Sequence, residues 1–270
     1  MASIAMNCNQ GSVRKTNQDA CCLMVAQSRF GEIVMVVVCD GVGGLCQGEL
    51  ASTMAVDGCA HWFAEELPLL TERMRNEFDP MIVRQSWDDL LVDLNKAIWE
   101  YGARQNVLMG TTFTGLLLCG TTYVVGHVGD CRAYVVHGDE IRQITEDQTL
   151  LARMRAEGVV EDGKLSQAHL QNVILQAVGT ERVLKPAFYV GSGLHEDIYV
   201  LCSDGAYKLA GSDGIRSAFA RLDPADERVL REACDQVIAY DLRSGERDNL
   251  TIACASAVMP LQDSKGGEQQ

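Results

Sequence analysis

The 270-residue chain is acidic, with a formal net charge of −14, 47% hydrophobic residues and 22% charged residues. This composition is typical of a globular protein with a sizeable core, and its negative charge argues against nucleic-acid binding, which needs a basic surface. The N-terminus has no basic segment followed by an apolar stretch, and the longest apolar run, Ile33–Cys39, is too short to span a bilayer. We therefore expect a cytoplasmic protein that does not contact membranes.

The predicted strands and helices fall into separate blocks along the chain. Apolar and β-branched runs predict strands at Ile4–Asn7, Ala20–Ala26, Glu32–Cys39, Thr111–Cys119, Thr121–Val128, Cys131–Val136, Glu140–Ile144, Phe188–Gly191, Ile198–Cys202 and Leu250–Ala257. Helical spacing of apolar residues predicts helices at Glu49–Glu65, around the stripe Trp87–Tyr101, and at Gln148–Glu157, Gly214–Arg221 and Ala225–Tyr240. Separate blocks without alternating βαβ units predict an α+β fold of sheet layers flanked by helix layers.

No repeat or low-complexity linker divides the chain, so we expect one domain over residues 1–259 and a polar tail over residues 260–270. The polar stretch Gly158–Leu165 is predicted to be a mobile surface segment. Eleven cysteines occur, but none in Cys-x-x-Cys spacing, and most lie in apolar runs. They are best interpreted as small buried side chains in a reducing compartment.

Three aspartates lie at the tips of apolar strands. Asp40 and Asp204 each follow a strand and precede a glycine, and Asp130 lies between two strands. One such aspartate is ordinarily a turn or a helix cap, but three of them, with Asp248 before the last strand, indicate a common site. Gathered carboxylates repel each other unless cations neutralise them, and oxygen ligands favour magnesium, manganese or calcium.

Phosphate chemistry is one candidate for such a site. Two divalent cations roughly 3.5–4 Å apart can activate a water and hold a phosphoryl group for in-line attack. Gly41 leaves room for its carbonyl to approach a cation. Arg14, in a polar segment between two strands, has the guanidinium fork that binds phosphate, although a single arginine is more often a solvated surface charge.

Six short motifs follow one another along the chain. They are Gly11-Ser12-Val13-Arg14-x-x-Asn17-Gln18-Asp19, Asp40-Gly41-Val42-Gly43-Gly44, Gly110-Thr111-Thr112, Gly129-Asp130-Cys131-Arg132, Ser203-Asp204-Gly205 and Asp248-Asn249. Each alone is weak evidence. The ordered series, from about Ile4 to Ala257, closely resembles the metal-dependent serine/threonine protein phosphatases (the PPM family, type 2C), in particular their compact bacterial members.

This resemblance implies a four-layer αββα sandwich with two Mn²⁺ or Mg²⁺ ions in a cleft at one end of the paired sheets. It implies that Asp40 bridges both ions and that the carbonyl of Gly41 is a ligand. Asp204 and Asp248 would hold the second ion, and Arg14 would bind the substrate phosphate.

Further residues match the family pattern around this centre. Asp130 together with Asp204 matches the site of a third ion in bacterial members. Asp19, Gln18 and Asn249 would act one step away from the ions, Asp19 by ordering bound water. The stretch at about residues 147–172 corresponds to the variable flap beside the active site.

The resemblance also implies an activity, namely hydrolysis of phosphoserine and phosphothreonine in proteins by a water or hydroxide that bridges the two ions. Phosphorylated proteins would be the substrates, and a cognate serine/threonine kinase would be the opposing enzyme. Two alternatives remain open: a weakly active or inactive binding module of the same fold, and a hydrolase of small phosphate esters. The presence of Asp40, Asp204 and Asp248 argues against an inactive module.

Four positions depart from the family pattern. Val42 lies where many eukaryotic members have a histidine proposed as general acid, and Gln18 lies where many relatives have glutamate. Cys131 replaces a serine, and Gln148 replaces a histidine. Because Cys39 and Cys131 adjoin predicted ligands, we also hypothesise that these two thiols are sensitive to oxidation.

Overall fold

The computed structural model describes residues 2–42, 47–159, 170 and 172–256. Its strands are β1 (Ile4–Asn9), β2 (Asp19–Ser28), β3 (Gly31–Asp40), β4 (Phe113–Cys119), β5 (Thr122–Val128), β6 (Arg132–His137), β7 (Glu140–Gln143), β8 (Ala187–Ser192), β9 (Ile198–Cys202) and β10 (Leu250–Ser256). Its α-helices are α1 (Gly48–Arg73), α2 (Pro80–Gln105), α3 (Leu150–Ala156), α4 (Gly211–Phe219) and α5 (Glu227–Arg243). A short 3-10 helix covers Asp204–Ala206.

These strands form two antiparallel sheets of five strands each. The first sheet has the order β2-β3-β4-β5-β8, and the second has the order β1-β10-β9-β6-β7. Strand β3 is apolar along most of its length, and residues 33–39 are almost entirely buried. A strand covered on both faces needs apolar side chains on both, which explains why the sequence shows a continuous run here rather than alternation.

Three apolar cores hold four layers together. Helices α1 and α2 cover the first sheet, where Trp62, Trp87 and Phe113 are buried and meet edge to face. Helices α4 and α5 cover the second sheet through a core that includes Phe219. The third core lies between the two sheets and includes Tyr199. The predicted αββα sandwich is therefore confirmed.

The two ends of the sandwich differ in how the strands are connected. At one end, which we call the turn end, short turns at residues 29–30, 120–121 and 138–139 join neighbouring strands. The opposite end, the site end, carries the connections that contain the predicted site residues. The register of β2 and β3 places Asp19 directly opposite Asp40 at this end.

Helix α1 is the element whose predicted extent is most clearly wrong. It was expected to end at Glu65 but continues to Arg73, past Pro68. Proline removes one helical N–H, but the turns on either side of it bury Leu67 and Thr71. The hydroxyl of Thr71 also donates to the carbonyl of Pro68 at 2.8 Å. Tertiary burial thus outweighs the local penalty of the proline.

The other predicted elements agree with the structure to within a few residues at most ends. Helix α3 begins after Thr149, whose hydroxyl caps it by accepting from the N–H of Ala152. Residues 160–169 and 171 of the predicted surface segment and flap, and the predicted tail at 260–270, lie outside the described residues. Within the described ranges, none of the helices has the length and hydropathy required to cross a bilayer.

Candidate metal centre

Asp40 ends β3, and its backbone is fixed by the start of β4. Its N–H donates to the hydroxyl of Thr112 at 2.8 Å. Its carbonyl accepts from the N–H of Thr112 at 2.8 Å and from the hydroxyl of Thr111 at 2.9 Å. The motif Gly110-Thr111-Thr112 therefore positions the carboxylate of Asp40, which is left to face the site.

Gly41 occupies a position that only glycine fits. A Cβ built there would lie 2.4 Å from the backbone of Gly48, where α1 begins. The N–H of Gly41 donates to the carbonyl of Gln18 at 3.0 Å, which ties Gly41 to the segment before β2. The close approach of Gly41 and Gly48 holds the end of β3 against the start of α1.

Asp19 faces Asp40 across the sheet and has one unpaired oxygen. Its Oδ2 accepts from the hydroxyl of Ser203 at 2.7 Å, whereas its Oδ1 is buried without a hydrogen-bond partner. Burial is the main cause that raises the pKa of Asp19 to about 7, and the charge of Asp204 adds to it. A buried carboxylate with a free oxygen is poorly solvated and favours a nearby cation.

Asp130 and Asp204 show the same feature. Each has a buried Oδ1 with no hydrogen-bond partner. Burial, followed by repulsion from Asp204, raises the pKa of Asp130 to about 8. The Oδ2 of Asp204 lies 3.5 Å from the ammonium of Lys208, which also donates to Asn172 at 3.2 Å.

Asp248 is held by an arginine. The guanidinium of Arg14 lies 2.6 Å from its Oδ2. Its Oδ1 accepts from the N–H of Asn249 at 2.9 Å. The side chain of Asn249 accepts from the N–H of Gln18 and donates to the carbonyls of Gln10 and Thr16. Asn249 therefore holds the segment 10–18, which carries Arg14, against the start of β10.

A cavity of about 230 Å³ brings these groups together. Its lining residues are Arg14, Gln18, Asp40, Gly41, Val42, Asp130, Asn172, Asp204, Lys208 and Asp248. All but two of the predicted site residues line it; Asp19 and Asn249 lie behind it. Burial and then the charges of Asp19, Asp204, Asp130 and Asp248 raise the pKa of Asp40 well above its usual value.

The donor set fits a hard divalent cation. The cavity offers carboxylate oxygens and the carbonyl of Gly41, and two of its carboxylates have buried oxygens without partners. Among the described residues, no group of three or more His, Cys, Asp or Glu side chains is already arranged to hold a metal. Arg14 and Lys208 lie against the Oδ2 atoms of Asp248 and Asp204, so ligation through these two oxygens requires the basic side chains to move.

The structure accounts for Gln148, one of the departures from the family pattern. Its Oε1 accepts from the N–H of Gly129 at 2.9 Å and from the amide of Gln176 at 2.8 Å. Its Nε2 lies 3.5 Å from the carbonyl of His127. An amide can accept and donate at the same time, so Gln148 ties α3 to the β5–β6 connection that carries Asp130.

The hypothesis of oxidation-sensitive thiols at Cys39 and Cys131 finds no support in their surroundings. Both are fully buried, and burial raises the pKa of each thiol well above its usual value. The thiol of Cys131 contacts the hydroxyl of Thr112 at 3.1 Å. A protonated, inaccessible thiol is a poor nucleophile toward oxidants.

Two residues of the site were not predicted from the sequence. Lys208 has a local signal, because it lies four residues after Asp204 and that spacing brings side chains together in helical turns. Asn172 has no such signal, since its contact with Lys208 depends on the course of the chain after α3. Both line the same cavity as the predicted ligands.

Comparison with known proteins identifies the family of the chain. The family described as protein phosphatase 2C matches residues 11–222. The chain belongs to the protein phosphatase 2C family. The matched region includes five of the six motifs, all except Asp248-Asn249. The serine/threonine phosphatase stp of Listeria innocua is 28% identical over 220 residues, which cover 81% of this chain and 82% of that relative.

Other relatives extend the match over almost the whole chain. The protein phosphatase PhpP of Streptococcus pneumoniae is 26% identical over 94% of this chain and 96% of its own length. The catalytic domain of the serine/threonine protein phosphatase PstP, solved in complex with two manganese ions, is 26% identical and superposes with a TM-score of 0.72, covering 94% of this chain and 97% of that one. The fold is also that of Stp1 from Staphylococcus aureus, with a TM-score of 0.80, 24% identity and 96% coverage of both chains.

Proposed function

We propose that this serine/threonine protein phosphatase hydrolyses phosphoserine and phosphothreonine side chains with the help of Mn²⁺ or Mg²⁺ ions held in the cavity of about 230 Å³. The observation that carries the proposal is the joint lining of that cavity by Asp40, Gly41, Asp204, Asp248 and Arg14. Carboxylates and a backbone carbonyl suit the ions, and a guanidinium suits the phosphate.

The ligands have distinct roles in this proposal. Asp40 would hold both ions, the carbonyl of Gly41 would hold one of them, and Asp204 and Asp248 would hold the other. When bound, the ions would supply Lewis acidity for a water and positive charge for the phosphoryl group. The hydrogen bonds of Thr111 and Thr112 to Asp40 keep this carboxylate at the end of β3.

Arg14 is proposed to bind the substrate phosphate. Its side chain is 41% exposed and lines the cavity from the segment 10–18. Asn249 fixes that segment by three hydrogen bonds to its backbone. The bidentate geometry of a guanidinium orients a phosphate more strictly than an ammonium would.

The third-ion site is proposed to be weaker than the other two. Asp130 and Asp204 supply its carboxylates, but Lys208 already brings a positive charge to within 3.5 Å of Asp204. We expect two ions to bind per chain at moderate Mn²⁺ concentration, and the variant Lys208→Met to bind a third more tightly. Native mass spectrometry of the two proteins would show this, with Lys96→Met, an exposed lysine of α2, as control.

Phosphorylated proteins are the proposed substrates, and a serine/threonine kinase of the same cell is their proposed source. We place both in the cytoplasm. Two further functions remain as alternatives, namely a binding module of the same fold and a hydrolase of small phosphate esters. Neither has a specific observation in its favour, and the three ligand aspartates that line the cavity argue against an inactive module.

The deciding experiment is phosphate release from a phosphothreonine peptide, with manganese or with a chelator. We expect release only with manganese, and loss of release in Asp204→Asn. The control Asp213→Asn changes an aspartate of α4 that is 90% exposed and should retain full activity. Manganese binding without release from phosphothreonine, phosphoserine or an aryl phosphate would support a binding module, and release from the aryl phosphate alone would support a small-ester hydrolase.

A further inference from the structure

Cys8 and Cys21 lie on the two strands that enclose the Arg14 segment. Cys8 is on β1 of the second sheet, and Cys21 is on β2 of the first. The chain between the two strands is the segment 10–18. Cys8 is exposed and Cys21 is partly buried, which distinguishes them from the fully buried Cys39 and Cys131.

The sulfur of Cys8 accepts two hydrogen bonds. The amide of Asn17 donates to it at 3.2 Å, and the hydroxyl of Thr251 donates to it at 3.2 Å. The thiol of Cys21 donates to the sulfur of Met6 on β1 at 3.5 Å. Met6 and Cys8 are two residues apart on this strand and therefore lie on the same face, so the Cys21 thiol is also a neighbour of the Cys8 sulfur. Donors aimed at a sulfur stabilise its thiolate, which is the nucleophilic form.

The pKa values of the two thiols are shifted in opposite directions. Hydrogen bonding from Cys21, and also from Thr251 and Asn17, lowers the pKa of Cys8 to about 6 against the opposing effect of burial. The neighbouring Cys8, followed by burial, raises the pKa of Cys21 above its usual value. One accessible thiolate beside a protonated thiol is the arrangement of an attacking and a resolving cysteine.

The adjacent Cys22 provides an internal contrast. Side chains of a strand alternate between its faces, so Cys22 points away from Cys21 and packs against the core beneath α1. Burial raises the pKa of its thiol to about 11. Of these two neighbours on β2, only Cys21 has a thiol partner across the sandwich.

We propose that Cys8 and Cys21 form an oxidisable thiol pair, which hydrogen peroxide converts into a disulfide between β1 and β2. The Cys8 thiolate attacks one peroxide oxygen, the O–O bond breaks, and sulfenic acid and hydroxide result. The Cys21 thiol then displaces the hydroxyl of the sulfenic acid as water. Overall, two thiols lose two electrons and two protons while one peroxide becomes two waters.

This disulfide would link the two sheets at the base of the segment that carries Arg14. It does not involve any of the proposed metal ligands, so the oxidised chain should bind manganese as before. The reaction is also independent of the proposed phosphatase mechanism, because it uses only the two thiols and the oxidant.

The test is peptide mapping of the folded parent chain after brief treatment with hydrogen peroxide. We expect a peptide pair linked through Cys8 and Cys21, a loss of two hydrogen masses, and reversal of both by dithiothreitol. Linkage of Cys8 to another cysteine, or preferential oxidation elsewhere in the chain, would overturn the proposal. This measurement on the parent chain does not depend on the folding of any variant.

Variants then distinguish the attacking cysteine from the resolving cysteine. Cys21→Ser should stop at a sulfenic acid on Cys8, which dimedone traps, and Cys8→Ser should leave Cys21 unmodified at the same peroxide dose. Cys22→Ser is the matched control and should form the disulfide at the parental rate. Equal rates of thiol loss in Cys8→Ser and the parent would contradict the assignment of Cys8 as the attacking thiol.

Discussion

The two ends of the sandwich are built from the same strands but differ in how closely their connections are packed. At the turn end, Gly120 and Gly138 adopt positive φ angles of 58° and 56° in short turns with free space around them. At the site end, Gly129 has a φ of 105° and a Cβ there would lie 2.6 Å from the side chain of Thr112. The turn end is spacious and solvated, whereas the site end is crowded.

The electrostatics of the two ends differ in the same way. Asp139 at the turn end is exposed and paired with Arg221. At the site end, Asp19 and Asp130 have raised pKa values of about 7 and 8 because they are buried near other carboxylates. Stability is thus provided by the three apolar cores, while the site end holds mutually repulsive carboxylates whose repulsion a bound cation would relieve.

The strongest test of this contrast is to neutralise one aspartate at each end. Asp40→Asn should lower manganese-dependent phosphate release by about 10³-fold, which corresponds to about 4 kcal/mol of transition-state stabilisation. Asp139→Asn should leave the rate within twofold of the parent. Initial rates on a phosphothreonine peptide would check both, and a comparable loss in the two variants would remove the distinction between the ends.

The buried His127 gives the site end a specific pH dependence. Burial is the main cause that lowers its pKa to about 4, because the ring is enclosed between Thr114 and the carbonyl of Glu146. A group with a depressed basic pKa binds fewer protons in the folded than in the unfolded state, so stability is lost as the pH falls from about 6.5 to about 4.

Relative to His127→Gln, the parent should therefore lose about 3 kcal/mol of unfolding free energy over this range. Urea unfolding at several pH values, with chelator present, measures the difference between the two proteins. The nearby carboxylates contribute equally to both and cancel. Parallel pH profiles for parent and variant would show that the ring is not held neutral.

Manganese should stabilise the folded chain by relieving repulsion at the site end. At a free concentration of one hundred times Kd, the expected gain is about 2.7 kcal/mol, or a rise in Tm of roughly 5–10 °C for a chain of this size. Thermal unfolding with and without manganese would show it. Asp139→Asn should keep the full rise and Asp204→Asn should lose most of it; an identical rise in both would place the ions elsewhere.

Glycine substitutions at the two ends should have the smallest effects, and these are changes in the free energy of unfolding. Gly120→Ala places a side chain in a left-handed conformation with open space, and should cost about 1 kcal/mol. Gly129→Ala adds a collision with Thr112 and should cost about 2 kcal/mol or more. Denaturant unfolding of the two variants would measure this difference, and equal costs would contradict the crowding of the site end.

The layers of the fold could be predicted because their signals are local. The continuous apolar run at residues 33–39 indicated a strand buried on both faces, and the stripe Trp87–Tyr101 indicated a helix with one buried face. Periodicity says less about where an element ends. Helix α1 passes Pro68 because Leu67 and Thr71 are buried by residues distant in the chain, and no local pattern reports such burial.

The candidate site was predictable because each of the predicted ligand aspartates lies next to the end of a strand. Their convergence follows from the antiparallel register, which places Asp19 opposite Asp40. The basic partners were not predictable. The pairing of Arg14 with Asp248 joins residues 234 positions apart, and the contact of Lys208 with Asn172 requires the tertiary course of the chain after α3.

The ion pair between Arg14 and Asp248 makes the two binding events of the proposed site thermodynamically linked. The Nη2 of Arg14, which donates to the carboxylate at 2.6 Å, has one N–H fewer to offer a phosphate, and a carboxylate that binds a cation has less attraction for the arginine. Manganese should therefore release Arg14 toward phosphate. By reciprocity, inorganic phosphate should tighten manganese binding by the same factor. The chain with both ligands bound is then favoured over the chain with either ligand alone.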